Sequence, residues 1–258
     1  MAWQLTIKQC SNLITRLLND MSCCDLCGSN LLDKDDLGKA RSQKLRQSLV
    51  CHHCVHDLPY FKQDIIMGNL LNWPAVNHAL PNIHFDRLFS LFPYIYPLDH
   101  LMTQLKYSGR FELANLFAAL LVDEWHNVSK YGERNRVDLV IPVPLHIKKW
   151  QLRGYNQAHL IAKTFAKLLA LPYDDKLLQR VKHNESQTGK TGSQRRKNLA
   201  NAFKVTLYRA ANIKHVVLVD DVVTTGSTAS EISKLLKSSG IETVTLVTVC
   251  LALPTRSN

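Results

Sequence analysis

Several features common in proteins of this size are missing here, and each absence removes a class of function. No apolar run in the 258 residues approaches the roughly 18 needed to span a bilayer, so the chain predicts no membrane span. It has neither the GxxxxGK[S/T] ending of a P-loop nor a GxGxxG, which sets aside the commonest loops for nucleoside triphosphates and dinucleotides. It shows no internal repeat and no low-complexity tract. Acidic residues are scarce, 21 Asp and Glu against 32 Lys and Arg, for a net charge of +11. Seven cysteines, an odd number unevenly placed, argue against a complete disulfide framework and for reduced thiols or a bound metal. Near the start, Leu13, Ile14, Leu17 and Leu18 have helical spacing, while Lys8, Gln9 and Asn12 break any signal-type apolar core. The expected address is the cytoplasm.

What is present is a globular composition with 46% hydrophobic and 21% charged residues. The positive balance suits an anionic partner, nucleic acid or a phosphorylated metabolite, although a solvated surface would also explain it. Five of the seven cysteines fall between Cys23 and Cys54, and a stretch with Pro59, Pro74 and Pro81 follows. From Ile83 onward, strand-like and helix-like segments alternate. Residues 138–145, DLVIPVPL, form a short apolar run ended by prolines. Residues 157–170 place Leu160, Ile161, Phe165, Leu168 and Leu169 on one helical face. HVVLVD at 215–220 reads as a buried parallel strand. The expected organisation is therefore an N-terminal helix, metal module and bridging segment over residues 1–82, then an α/β domain over 83–258 with a mostly parallel sheet. Residues 183–198 carry no apolar group larger than a Thr methyl; so long a polar stretch is either mobile or functional.

Cys24-Asp-Leu-Cys27 and Cys51-His-His-Cys54 are two CxxC units separated by 23 residues. Two such turns can complete a tetrahedral Zn²⁺ shell, and Gly28 suits the turn after the first pair. Four sulfurs leave no open position, so this zinc would be structural. Cys23 could stand in for Cys24 with less regular spacing, and His52, His53 and His56 read as exposed neighbours.

The densest chemistry lies in VVLVDDVVTTGST, residues 216–228. Val216–Val219 should be the strand, and Asp220 and Asp221 repel unless a cation or hydroxyl donors sit between them. Thr228-Ala-Ser-Glu231 reads as a capping box for a helix whose apolar face is Ala229, Ile232, Leu235 and Leu236. The loop between is then held at a helix N-terminus, where backbone N–H groups favour an anion. Hydroxyls of Thr224, Thr225, Ser227 and Thr228 add donors, and Gly226 lets the backbone come close. Twin carboxylates beside a phosphate cup suit a sugar phosphate.

This stretch resembles the thirteen-residue 5-phosphoribosyl 1-diphosphate (PRPP) signature of type I phosphoribosyltransferases. IPVPLHIKKWQLRGYNQA (141–158), LKYSGRFELA (105–114), the spacing of Gln187, Arg195, Asn198, Ala202 and Phe203, and the CxxC pairs resemble the competence protein F family over nearly the whole chain. The resemblance implies a type I phosphoribosyltransferase-like parallel sheet with flanking helices, behind a small four-cysteine, zinc-ribbon-like module. It implies that Asp220 and Asp221 bind the ribose hydroxyls, and that Thr224, Thr225, Gly226, Ser227 and Thr228 hold the 5′-phosphate. PRPP also carries a diphosphate, usually with Mg²⁺. In type I enzymes its loop follows such a strand as 138–143, which here offers Lys148, Lys149, Arg153 and Gly154. Arg195, Arg196 and Lys197 could close over the ligand as a mobile loop. Three positions depart from the family pattern: Lys149 replaces a usual Arg, Asn184 a usual Thr and Lys190 an apolar residue.

Members of that family are linked to uptake or use of extracellular DNA. The implied function is a PRPP-binding, phosphoribosyltransferase-like protein that handles incoming single-stranded DNA, with DNA-uptake proteins as partners. The alternative is an active phosphoribosyltransferase in nucleotide salvage with no direct DNA role. No residue identifies an acceptor or a general base, so catalysis stays open. Trp150 and Tyr155 are the aromatics beside the basic clusters that could stack on bases, which would give binding with little sequence preference.

Overall fold

A computed structural model of the chain describes residues 23–31, 49–128, 137–181, 202–206 and 212–252. The N-terminal apolar stretch, Asn184, Lys190 and the basic cluster Arg195, Arg196 and Lys197 lie outside the described residues. The chain groups into two compact units, Met1–Leu58 and Pro59–Asn258.

In the first unit, Cys23 and Asn30 form an antiparallel bridge around a turn closed by the Gly28 N–H donating to the Cys24 carbonyl at 2.9 Å. Gly28 holds φ +72°, a left-handed conformation that costs an L side chain about 1–2 kcal/mol. A short helix, α1 (His52–His56), starts at Cys51 and buries only Val55.

The second unit is built from strands β1 (Arg87–Pro93), β2 (Leu139–Pro142), β3 (Leu178–Arg180), β4 (Phe203–Val205), β5 (His215–Val223) and β6 (Thr243–Leu251). Its helices are α2 (Pro74–Ala79), α3 (Leu98–Tyr107), α4 (Leu113–Val128), α5 (Ile147–Arg153), α6 (Gln157–Leu168) and α7 (Ser227–Ser238). Four strands form one parallel sheet in the order β1-β6-β5-β2, while β3 and β4 pair antiparallel beside it. The apolar run HVVLV is buried throughout, as expected of a central strand covered on both faces.

Strand alternation divides that burial. Val216 and Leu218 join Leu88, Leu139, Ile141, Val244 and Leu246 on one face, beneath Ala229, Ile232 and Leu236 of α7. Ile66, Leu70, Val76 and Leu80, from the proline-bearing stretch before β1, belong to this same core. Helices α4 and α6 pack against each other and against β1, β2 and β5. There Trp125 makes edge-on contacts with Phe89 at 5.4 Å and Phe165 at 5.7 Å. Helix α6 begins where the Asn156 side chain accepts from the Ala158 N–H at 3.1 Å. Its buried face is Ala158, Ile161, Ala162, Phe165 and Ala166; Leu160 and Leu168 are only partly covered, so small alanines set the close packing.

Candidate functional site

The acid pair sits within a strand. Strand β5 runs on past Val219 to Val223, and Asp220 and Val222 still pair with Thr248 and Cys250 of β6. The Asp221 N–H donates to Asp220 Oδ1 at 2.8 Å, and the Val222 N–H to Asp221 Oδ1 at 2.6 Å. The Thr248 hydroxyl donates to the Asp221 carbonyl at 2.9 Å, tying this strand end to its neighbour. Burial, and next the Asp221 charge, push the Asp220 carboxyl up to about 7, against the opposing pull of the Asp221 N–H bond and then of Lys106 and Lys149. The Lys106 ammonium lies 3.2 Å from Asp221 Oδ2, with both side chains only 14% exposed. Lys106, in a stretch to which spacing alone assigns no role, is thus the cation that lets two adjacent acids coexist. It arrives from the last turn of α3, far away in sequence, so no local pattern reveals it.

The loop after β5 ends differently from the capping box expected of the sequence. Helix α7 begins at Ser227, two residues early, with Gly226 as its N-cap at φ +66° and no capping side chain. Thr228 is therefore inside the first turn and lines a cavity in place of closing the helix. The Ser227 N–H donates to Thr225 Oγ1 at 3.4 Å, and Gly226 offers no N-cap side chain to the N–H groups that follow, at the positive end of the helix dipole. A Cβ on Gly226 would point to Leu80 Cδ2 at 3.5 Å, so glycine is needed here for its left-handed φ. Thr225 Oγ1 and Ser227 Oγ are 2.9 Å apart.

Across from the acids, the segment after β2 turns into α5, whose N-cap His146 accepts from the Lys148 N–H at 3.2 Å. Lys149 and Arg153, one helical turn apart, face the same cavity. Arg153 donates to Gln157 Oε1 at 3.0 Å and to the Tyr107 hydroxyl at 2.9 Å, and lies 4.9 Å from the Tyr107 ring centre. Asn156 Nδ2 donates to the Val143 carbonyl at 3.0 Å, fixing the segment between strand and helix.

The cavity holds about 390 Å³. Asp220, Asp221, Thr224 and Thr228 line it from one side; Lys149, Arg153, Asn156 and Gln157 line it from the other. Tyr94, Lys106, His146 and Arg180 complete the wall. Arg180 lies 5.3 Å over the Phe203 ring, where burial lowers its pKa. Of the residues named from the sequence, Thr225, Gly226 and Ser227, in the adjoining loop and at the first position of α7, are not on this cavity wall, nor are Lys148 and Gly154. Tyr94, Lys106, His146, Gln157 and Arg180 are what sequence reasoning missed. They come from separate elements that meet only in the folded sheet.

In the first unit, the sulfurs of Cys24, Cys27, Cys51 and Cys54 all lie within 4.8 Å of one another and could hold a metal ion. Cys24, and not Cys23, supplies the first sulfur; Cys23, His52, His53 and His56 are exposed and outside the group. The Cys51 N–H points to Cys24 Sγ at 3.3 Å and the Cys54 N–H to Cys51 Sγ at 3.5 Å, orienting the sulfurs. Hydrogen bonding to the Ser29 hydroxyl, then to its backbone, brings the Cys27 thiol down to about 6, whereas burial pushes Cys54 up.

No helix of the described residues is long and apolar enough to cross a membrane. Residues 156–257 match the phosphoribosyl transferase domain. The chain is 33% identical to competence protein F of Haemophilus influenzae, across 86% of this chain and 93% of that one. It is 34% identical to the DNA utilization protein YhgH of Salmonella typhimurium, across 83% and 88%. Competence protein ComFC of Bacillus subtilis is 26% identical, across 61% and 62%. The parallel α/β domain, the four-cysteine cluster and these likenesses agree: the chain belongs to the competence protein F family.

Proposed function

We propose that this protein binds PRPP, or a related ribose 5-phosphate, in the cavity beneath Asp220 and Asp221, and that it acts in the cytoplasm on incoming single-stranded DNA. The observation that carries the ligand reading is the division of one cavity between three chemistries: paired acids, a helix N-terminus whose N-cap is a glycine, and cations facing both. The two carboxylates accept hydrogen bonds from a ribose diol, which supplies the donors a paired acid needs. Thr224, Thr225, Ser227 and Thr228, with the first N–H groups of α7, take the 5′-phosphate. Lys149 and Arg153, which line the same cavity, take the diphosphate. Mg²⁺ bound with PRPP would screen the diphosphate further. Lys106, 3.2 Å from Asp221 Oδ2, orients that carboxylate for this task.

The DNA role is supported by the relatives, whose names are competence protein F and DNA utilization protein, and by the net charge of +11. Uptake proteins are the expected partners. For the metal module we propose Zn²⁺. Zn–S bonds of about 2.3 Å require sulfurs roughly 3.8 Å apart in a tetrahedron, and Cys27 and Cys51 Sγ are 3.7 Å apart. A closed set of four sulfurs makes that ion structural.

The test is thermal stabilisation by PRPP with Mg²⁺. The native protein should show it, and Asp220→Asn with Asp221→Asn should lose it without changing bound zinc. A double variant that keeps the full response would sink the site assignment.

A further inference from the structure

We propose that helix α5, with the hollow beside it, is a seat for single-stranded nucleic acid in which one base stacks on Trp150. This rests on the proposed DNA role and gives that role a place on the molecule. Helix α5 buries none of its residues. Ile147, Trp150 and Leu152 are 42%, 51% and 74% exposed, an apolar display that a short surface helix has no structural need of.

Helical geometry splits the side chains of α5 between two hollows. Lys149 and Arg153 face the cavity of the acid pair. Trp150, rotated about 100° from Lys149, lines a second hollow of about 460 Å³ with Gly154, Tyr155 and His159. The Tyr155 hydroxyl donates to the Leu105 carbonyl, which fixes that ring as a wall. His159 Nδ1 is 2.8 Å from the Tyr173 hydroxyl and 3.4 Å from Asp175 Oδ2. The imidazole is thereby oriented, with Nε2 the ring nitrogen left for the edge of a ligand. A flat ring laid on the exposed indole, with a polar edge toward His159, matches a nucleobase.

Charge selects the polymer. The seven residues of α5 carry Lys148, Lys149 and Arg153 and no acid. Lys148 is exposed and faces neither hollow, so it is free to meet a backbone phosphate one nucleotide away. An acidic peptide would satisfy these cations but has no use for an exposed indole face. A single strand uses both, and because every base has a π-face its binding would tolerate any sequence.

The experiment is fluorescence anisotropy of a labelled oligothymidylate with the full chain, alongside thermal stabilisation by PRPP. Trp150→Leu, which keeps apolar bulk and loses the π-face, should weaken binding by roughly five- to a hundredfold, while Trp150→Phe keeps most of it. Lys148→Gln should lower the slope of log affinity against log salt by about 0.7, one single-strand contact. The PRPP response should be unchanged in both Trp150 variants. If the native protein binds and Trp150→Leu binds as tightly, this seat is wrong while the DNA role stands. If the native protein binds no oligothymidylate, the DNA role itself fails. If the Leu and Phe variants weaken binding equally, stacking is not the interaction and the seat is again refuted.

Discussion

Asp220 shows how a single residue trades stability for a site. Its carboxyl has a folded pKa of about 7, above the 3.8 of a free side chain, because it is buried next to Asp221. A raised acid pKa stabilises the fold fully below pH 3.8, and that contribution is lost as pH climbs to about 7. Above that, the native protein carries the whole cost of two adjacent buried charges. Asp220→Asn removes it, so the variant should melt higher than the native protein at pH 8, by several degrees, and the gap should shrink steadily toward pH 4. Melting curves across that range decide it. A gap that widens toward acid would mean the Asp220 carboxyl is held below its usual range, contrary to its surroundings. On the proposed site the same variant should also bind PRPP poorly, a loss of ligand response set against a gain in stability.

At the scale of elements, the loop between β5 and α7 places a glycine where the backbone must turn left-handed. Gly226→Ala meets only ordinary contact at Leu80, Ile83 and Phe85, so its cost should be the strain of φ +66°, about 1–2 kcal/mol. Urea unfolding should read that loss, and PRPP affinity should fall as well because the strained turn aims the first N–H groups of α7. A variant as stable as the native protein would show that the turn relaxes freely. This loop also marks how far the sequence can be read. The run HVVLV and the Ala-Ile-Leu stripe of α7 identify a buried strand and its covering helix, because burial on two faces and on one leave different periods. The helix start was not legible: a Thr-x-x-Glu pattern predicts a cap, but Gly226 can begin the helix sooner, and Thr228 is freed for the cavity wall. The cations of α5 were visible as a cluster, yet their division into Lys149 and Arg153 on one side and Trp150 on another needed the helix axis. Lys106 and Arg180 were beyond reach, since their neighbours are set by the order β1-β6-β5-β2 and by the β3–β4 pair.

For the whole molecule, the two compact units depend on different physics. Pro59–Asn258 buries aliphatic and aromatic side chains on both faces of a parallel sheet and has a core of its own. Met1–Leu58 offers little of that kind among its described residues: Cys24, Val50, Val55 and Leu58 are its buried apolar groups. So small a set cannot offset the backbone entropy of ordering the CxxC turns, and the clustered sulfurs alone offer little in place of bonds to a metal. Removing the metal should therefore unfold the first unit alone. Hydrogen exchange after chelation should show amides 49–58 losing protection, while those of β5 and β6 keep theirs and PRPP still raises the melting temperature. Restoring Zn²⁺ should restore the protection. Were amides 49–58 to stay protected without metal, hydrophobic packing would be holding them, and the four cysteines would need another purpose.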